Sequence, residues 1–152
     1  MKLSVVSFAF ALLLVPAAAL PADSAPAVRA DPVIEQATKA VSSKDWAQAQ
    51  AVLKDGLARD PNNADYHNLY AYSIRKGANP DMNLVFKHYN DALRIDPKHR
   101  GAHEYIGEAY LMVGNLPKAK EHLSSLDKLC FFPCSEFTDL KKSIASYEAK
   151  PR

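Results

Sequence analysis

What this sequence lacks is any arrangement that performs covalent chemistry. It contains no Ser-His-Asp or Cys-His set, no phosphate-binding loop and no H-E-x-x-H pair, so catalysis is not expected of it. No motif implies a cofactor. Charge of one sign is missing too. Nineteen Lys and Arg against seventeen Asp and Glu leave a formal net charge of +2, far too little for a nucleic-acid footprint. Glycine is scarce, at five residues against ten prolines, which points to helix punctuation rather than flexible linkers. Cysteine is limited to Cys130 and Cys134. The one apolar run of any length, Leu3 to Val15, is short for a membrane span and is ended by Pro16.

That run has a different use. Lys2, the apolar stretch and the small residues Ala17-Ala18-Ala19 stand in the order of a secretory signal peptide. The expectation is a signal over residues 1–22, cleaved after Ala19 or Ala22. The alternative is an uncleaved anchor helix. Cleavage removes Lys2 and no acid, so the charge falls from +2 to +1. Residues 23–30, DSAPAVRA, have no helical stripe and are expected to be a disordered spacer. The mature chain is then expected to be periplasmic or secreted, without stable membrane insertion.

The remainder, with an apolar content suited to one modest domain, repeats itself. Asp45 to Pro61 reads DWAQAQAVLKDGLARDP, and Met82 to Pro97 reads MNLVFKHYNDALRIDP. Three helix pairs are predicted, over about 31–63, 64–99 and 100–130. In the first, Asp31 caps a helix carrying Ile34, Ala37, Ala40 and Val41 at 3–4 spacing. After a break at Ser42-Ser43-Lys44, Asp45 caps a second helix carrying Trp46, Ala49, Leu53 and Leu57. In the second unit Leu69, Tyr70 and Ile74 precede a longer break over 76–81. There Asn79 is expected to cap the next helix, with Pro80 in its first turn. Pro97 follows Pro61 by 36 residues, and this break is where two extra residues fit. In the third unit Tyr105, Ile106, Ala109, Tyr110 and Val113 lead to Gly114-Asn115, then Ala119, Leu123, Leu126 and Leu129. A last helix, about 135–149, carries Phe137, Leu140, Ile144 and Tyr147 and would cap the array. Lys141, Lys142, Ser146 and Glu148 are expected on its outer face.

These units resemble tetratricopeptide repeats, the 34-residue helix-turn-helix family. Gly107, Tyr110, Ala119 and Leu123 carry the likeness in the third unit. Ala71, Tyr89, Ala92 and Pro97 carry it in the second, and Ala37, Ala49, Leu53, Gly56 and Pro61 in the first. The third unit lacks the terminal proline, and Val85 stands where the family has a small residue. The chain is also similar to small exported bacterial repeat proteins ending in an L-C-x3-C-x-E-x-x-D-L tail, here Leu129 to Leu140. The resemblance implies an all-α, right-handed α-solenoid whose first helices line a concave groove. It would place Asn68, Tyr72, Arg75 and Lys76 there, with Glu104, Glu108, Leu111 and Met112 beside them. It further implies a non-catalytic scaffold or adaptor holding a protein or peptide partner.

An even cysteine count in an exported protein suggests one disulfide, pinning the turn before the last helix. The alternative function, from another class, is a thiol-redox or metal-handling factor using Cys130 and Cys134. The spacing is not the C-x-x-C of redox pairs. His99 and His103 lie four apart, but His99 falls before its helix and no carboxylate or cysteine accompanies them. His67, His88 and His122 look dispersed, so no metal site is expected.

Overall fold

The computed structural model describes residues 30–132 and 134–150. The expected signal peptide, and all of the expected spacer but Ala30, lie outside the described residues. Among the described residues seven helices follow in order: α1 Pro32–Ser42, α2 Trp46–Arg59, α3 Ala64–Arg75, α4 Met82–Ile95, α5 Arg100–Met112, α6 Leu116–Leu129 and α7 Ser135–Glu148. There is no strand among the described residues, and none of the described helices is long and apolar enough to cross a membrane.

Local chemistry sets the helix starts. The Asp31 carboxylate accepts from the backbone N–H groups of Val33 and Ile34, at 2.8 and 3.3 Å. Asp45, Asn63 and Asn115 accept in the same way from Gln48, Tyr66 and Lys118. Each satisfies a donor the helix leaves unpaired. The cap of α4 differs from expectation. Asp81, not Asn79, takes the N–H groups of Asn83 and Leu84, and Pro80 stands ahead of the helix. An ionised carboxylate makes the stronger, charge-assisted cap. His99 caps α5 through Nδ1, which accepts from Ala102 N, so its Nε2–H is free to donate to Asp65 at 3.1 Å. That contact holds the Asp65 carboxyl below its usual range, against its burial.

The turns inside the first and third units share one backbone device. Lys44 and Gly114 each sit immediately before a helix cap, with φ of 59° and 76°. Glycine adopts this left-handed conformation without penalty, whereas lysine strains to do so.

Three apolar clusters run along the array. Ala37, Ala49, Leu53 and Tyr66 fill the first, Ala71, Val85, Tyr89 and Ile106 the second, and Ala119, Leu126, Leu140 and Ile144 the third. Helix α7 packs on both α5 and α6. Gly107 makes its close approach to α5 possible, because a Cβ there would lie 2.6 Å from Leu140 Cδ2. Arg100–Glu136 at 3.6 Å and Lys120–Glu148 at 2.6 Å bridge the two ends of α7 to α5 and α6. The loop before α7 is closed by the Cys130–Cys134 disulfide, with Cα atoms 5.8 Å apart.

Two stability changes follow. Gly107→Leu should overpack the α5–α7 contact and cost roughly 1–3 kcal/mol, seen as a fall of several degrees in the thermal midpoint. Lys44→Gly should raise stability by about 1 kcal/mol in denaturant unfolding, since it relieves the left-handed strain.

Candidate functional site

Helices α3, α5 and α7 form three walls of a cleft of about 620 Å³. Tyr72 and Lys76 come from α3 and its cap; Glu104, Tyr105, Glu108, Leu111 and Met112 come from α5. Asp139, Lys142, Ser143, Ser146 and Tyr147 come from α7, and Lys150 from just beyond it. Sequence reasoning placed Lys142 and Ser146 on an outer face. They face the cleft instead, because α7 takes the position of a fourth first helix rather than lying across the end.

Of the groove residues expected from sequence, Tyr72, Lys76, Glu104, Glu108, Leu111 and Met112 line this cleft. Asn68 and Arg75 do not. Asn68 is buried beside the start of α5, near Gly101, and its Oδ1 has no hydrogen-bond partner. Arg75 is buried behind the cleft, with a side chain only 5% exposed. Its Nε donates to the Tyr89 hydroxyl at 3.2 Å and one terminal nitrogen donates to Glu108 at 2.8 Å. The second Glu108 oxygen accepts from the Ser143 hydroxyl at 3.1 Å. The guanidinium lies 5.4 and 5.7 Å from the ring centroids of Tyr72 and Tyr105, themselves 4.7 Å apart. Trp46 meets Tyr72 edge-on, with ring centroids 6.1 Å apart.

The electrostatics of the cleft follow from this network. Glu108 is neutralised by Arg75. Burial, with Glu108, Asp139 and Glu136 nearby, pushes the Glu104 carboxyl up to about 8, so it is mostly protonated at neutral pH and able to donate a hydrogen bond. Lys76, Lys142 and Lys150 then face one remaining lining acid, Asp139, which makes no ion pair among the described residues. The cleft is basic at its rim and aromatic at its floor.

The cysteines are bonded to each other, so neither sulfur is a thiolate that could hold a metal. Their loop displays Phe131 and Phe132, exposed by 92% and 76%.

The histidines are not dispersed. His67 of α3 meets His88 of α4, Nδ1 to Nδ1, at 2.8 Å, while its Nε2 lies 3.0 Å from the Pro61 carbonyl. His103 of α5 meets His122 of α6 at 2.9 Å, with its Nε2 3.1 Å from the Pro97 carbonyl. A carbonyl only accepts, so each first ring carries its proton on Nε2 and presents a bare Nδ1 to the second ring. The register explains the recurrence. His67 and His103 lie four residues before Ala71 and Gly107, and His88 and His122 lie three after Val85 and Ala119. The same positions in the first unit hold Val33 and Val52, both in its apolar cluster.

No protein-family model matches the sequence, and no curated protein matches it. Solved structures do. The chain is similar to the TPR2B domain of yeast Sti1 in its Hsp70 complex, at 16% identity and a TM-score of 0.68, over 76% of this chain and 93% of that one. It is similar to the Yersinia enterocolitica type III secretion chaperone SycD in complex with a peptide of the translocator YopD, at 17% identity and 0.63, over 76% and 86%. It is also similar to the first TPR of Spaghetti (RPAP3) bound to the HSP90 peptide SRMEEVD, at 18% and 0.63, over 78% and 91%. The fold is that of a tetratricopeptide-repeat helical solenoid.

The second histidine pair makes the fold acid-sensitive. Burial first, and then His103, push His122 from 6.5 down to about 4, and burial lowers His103 as well. The unfolded chain takes up protons near pH 6.5 that the folded pair refuses. The pair's contribution is therefore whole above pH 6.5 and lost as pH falls towards 4. Glu104 acts oppositely, disfavouring the fold as pH rises from 4.5 towards 8, but it is common to parent and variant. His103→Val/His122→Val, which copies the first unit, should keep a larger share of its neutral-pH stability at pH 5. Urea unfolding at the two pH values measures it.

Proposed function

We propose that this protein is an exported, non-catalytic scaffold that holds an extended acidic segment of a protein partner in the α3–α5–α7 cleft. The observation that carries this reading is the cleft's charge. Arg75 neutralises Glu108 and burial protonates Glu104, leaving three lysines against Asp139 around an aromatic floor. Carboxylates of a partner would meet Lys76, Lys142 and Lys150, an apolar side chain would meet Leu111 and Met112, and the Glu104 hydroxyl would donate to a backbone carbonyl. Similar folds have peptide-bound structures, among them that of RPAP3 with an acidic peptide, and they support a peptide ligand for this cleft. Export rests on the N-terminal signal pattern.

The test uses the single tryptophan. Trp46 touches Tyr72, so its fluorescence reports occupancy of the cleft. An acidic heptapeptide library should bind and a lysine-rich one should not. Tyr72→Ala should weaken the best acidic binder by about 2 kcal/mol, roughly thirtyfold, without unfolding the array. Lys142→Glu should weaken it further in low salt than in high salt. Equal affinity for acidic and basic peptides, or no effect of Tyr72→Ala, would remove the cleft from consideration.

A further inference from the structure

One difference between the two histidine pairs carries an inference. Asp91 lies one turn after His88 on α4, and one ligand atom from each of His67, His88 and Asp91 falls within 4.8 Å of the others. At the corresponding position after His122, six residues beyond Ala119, stands Ser125. We propose that His67, His88 and Asp91 form a binding site for a divalent transition-metal cation of the Zn²⁺ type, and that the His103–His122 pair is its metal-free structural counterpart.

The donor set fits. Two neutral imidazoles and a carboxylate suit borderline cations such as Zn²⁺, with a remaining coordination position open to water. His67 is already arranged as a ligand. It is 7% exposed, and its Nε2–H is tied to the Pro61 carbonyl, so Nδ1 presents its lone pair outward. That outer hydrogen bond is the one metal-ligating histidines commonly make. His88 supplies Nδ1 by shifting its proton to its own Nε2 through solvent, which leaves the ring neutral. Two nitrogens on a tetrahedral ion with bonds of about 2.0–2.1 Å stand about 3.3 Å apart. The rings must therefore open slightly from 2.8 Å, and His88 is only half-buried.

The present partners of Asp91 are weak competitors. Lys87 reaches it at 2.9 Å and Arg94 at 3.4 Å, both with side chains more than 60% exposed. Surface pairs of this kind contribute little. None of the three ligands lines the α3–α5–α7 cleft, so the site is independent of peptide binding.

The test titrates the metal-free full chain with Zn²⁺ at neutral pH in a calorimeter, with Co²⁺ as a spectroscopic probe. The expected result is one ion per chain, a rise in thermal midpoint, and a visible Co²⁺ band of the four-coordinate type. Asp91→Asn, on a partly exposed residue, should leave the fold intact and weaken binding at least tenfold. His122→Gln should leave the first ion's affinity unchanged. Ser125→Asp should raise the stoichiometry from one to two. No binding by the parent chain, or equal affinity in Asp91→Asn, overturns the proposal. So does a single site abolished by His122→Gln instead.

Discussion

The contact on which the cleft depends is the buried Arg75–Glu108 pair. Removing two charges from water is costly, and only well-placed hydrogen bonds offset it. Here the offsets come from four helices: Arg75 from α3, Tyr89 from α4, Glu108 from α5 and Ser143 from α7. Loss of one partner from such a pair leaves the other uncompensated, at a typical cost of roughly 3–5 kcal/mol. A hydrophobic pair would hold the helices together equally well. It would not set a cation against the rings of both Tyr72 and Tyr105. The network thus joins the packing of four helices to the aromatic floor of the cleft.

The same logic makes α7 a component of the cleft rather than a lid on the array. A repeat pair cannot bury its apolar face alone, so the third unit needs something against α5. Leu140 fills that need, and only because residue 107 has no side chain to oppose it. Once seated, α7 turns Asp139, Lys142, Ser143 and Ser146 towards α5. The disulfide fixes the loop from which α7 departs, and the Arg100–Glu136 pair sits in its first turn.

Much of the fold is legible from sequence because its causes are local. Period-3.6 apolar stripes, Asp and Asn caps, and Pro61 and Pro97 act within one helix or one turn. Where sequence reading fails, the cause lies between helices. Arg75 sits in a helix beside polar residues and looks solvated. Only the register of α3 against α4 and α5 buries it. Asn79 and Asp81 are both good caps, and charge decides between them. The histidine pairs are hidden by the insertion in the second unit, which sets His67 and His88 21 apart but His103 and His122 19 apart. Counting from Ala71 and Gly107, and from Val85 and Ala119, restores the equivalence. The cleft's Lys142 is missed for another reason: the last helix has no second helix of its own unit from which to infer its outward face.

Why two units should use histidines where the first uses valines has a structural answer. Each first ring contacts three elements at once: its own helix, the partner ring, and the carbonyl of the turn that ends the preceding unit. A valine reaches only its apolar neighbours. The ring therefore links consecutive units directionally, at Pro61 between the first and second and at Pro97 between the second and third. That link fixes how far one pair can slide on the next, which apolar packing specifies poorly. Burial also keeps His88, His103 and His122 neutral. A neutral imidazole pair held by a backbone carbonyl needs only one added carboxylate to become a metal-ligand set, and at the first junction Asp91 supplies it.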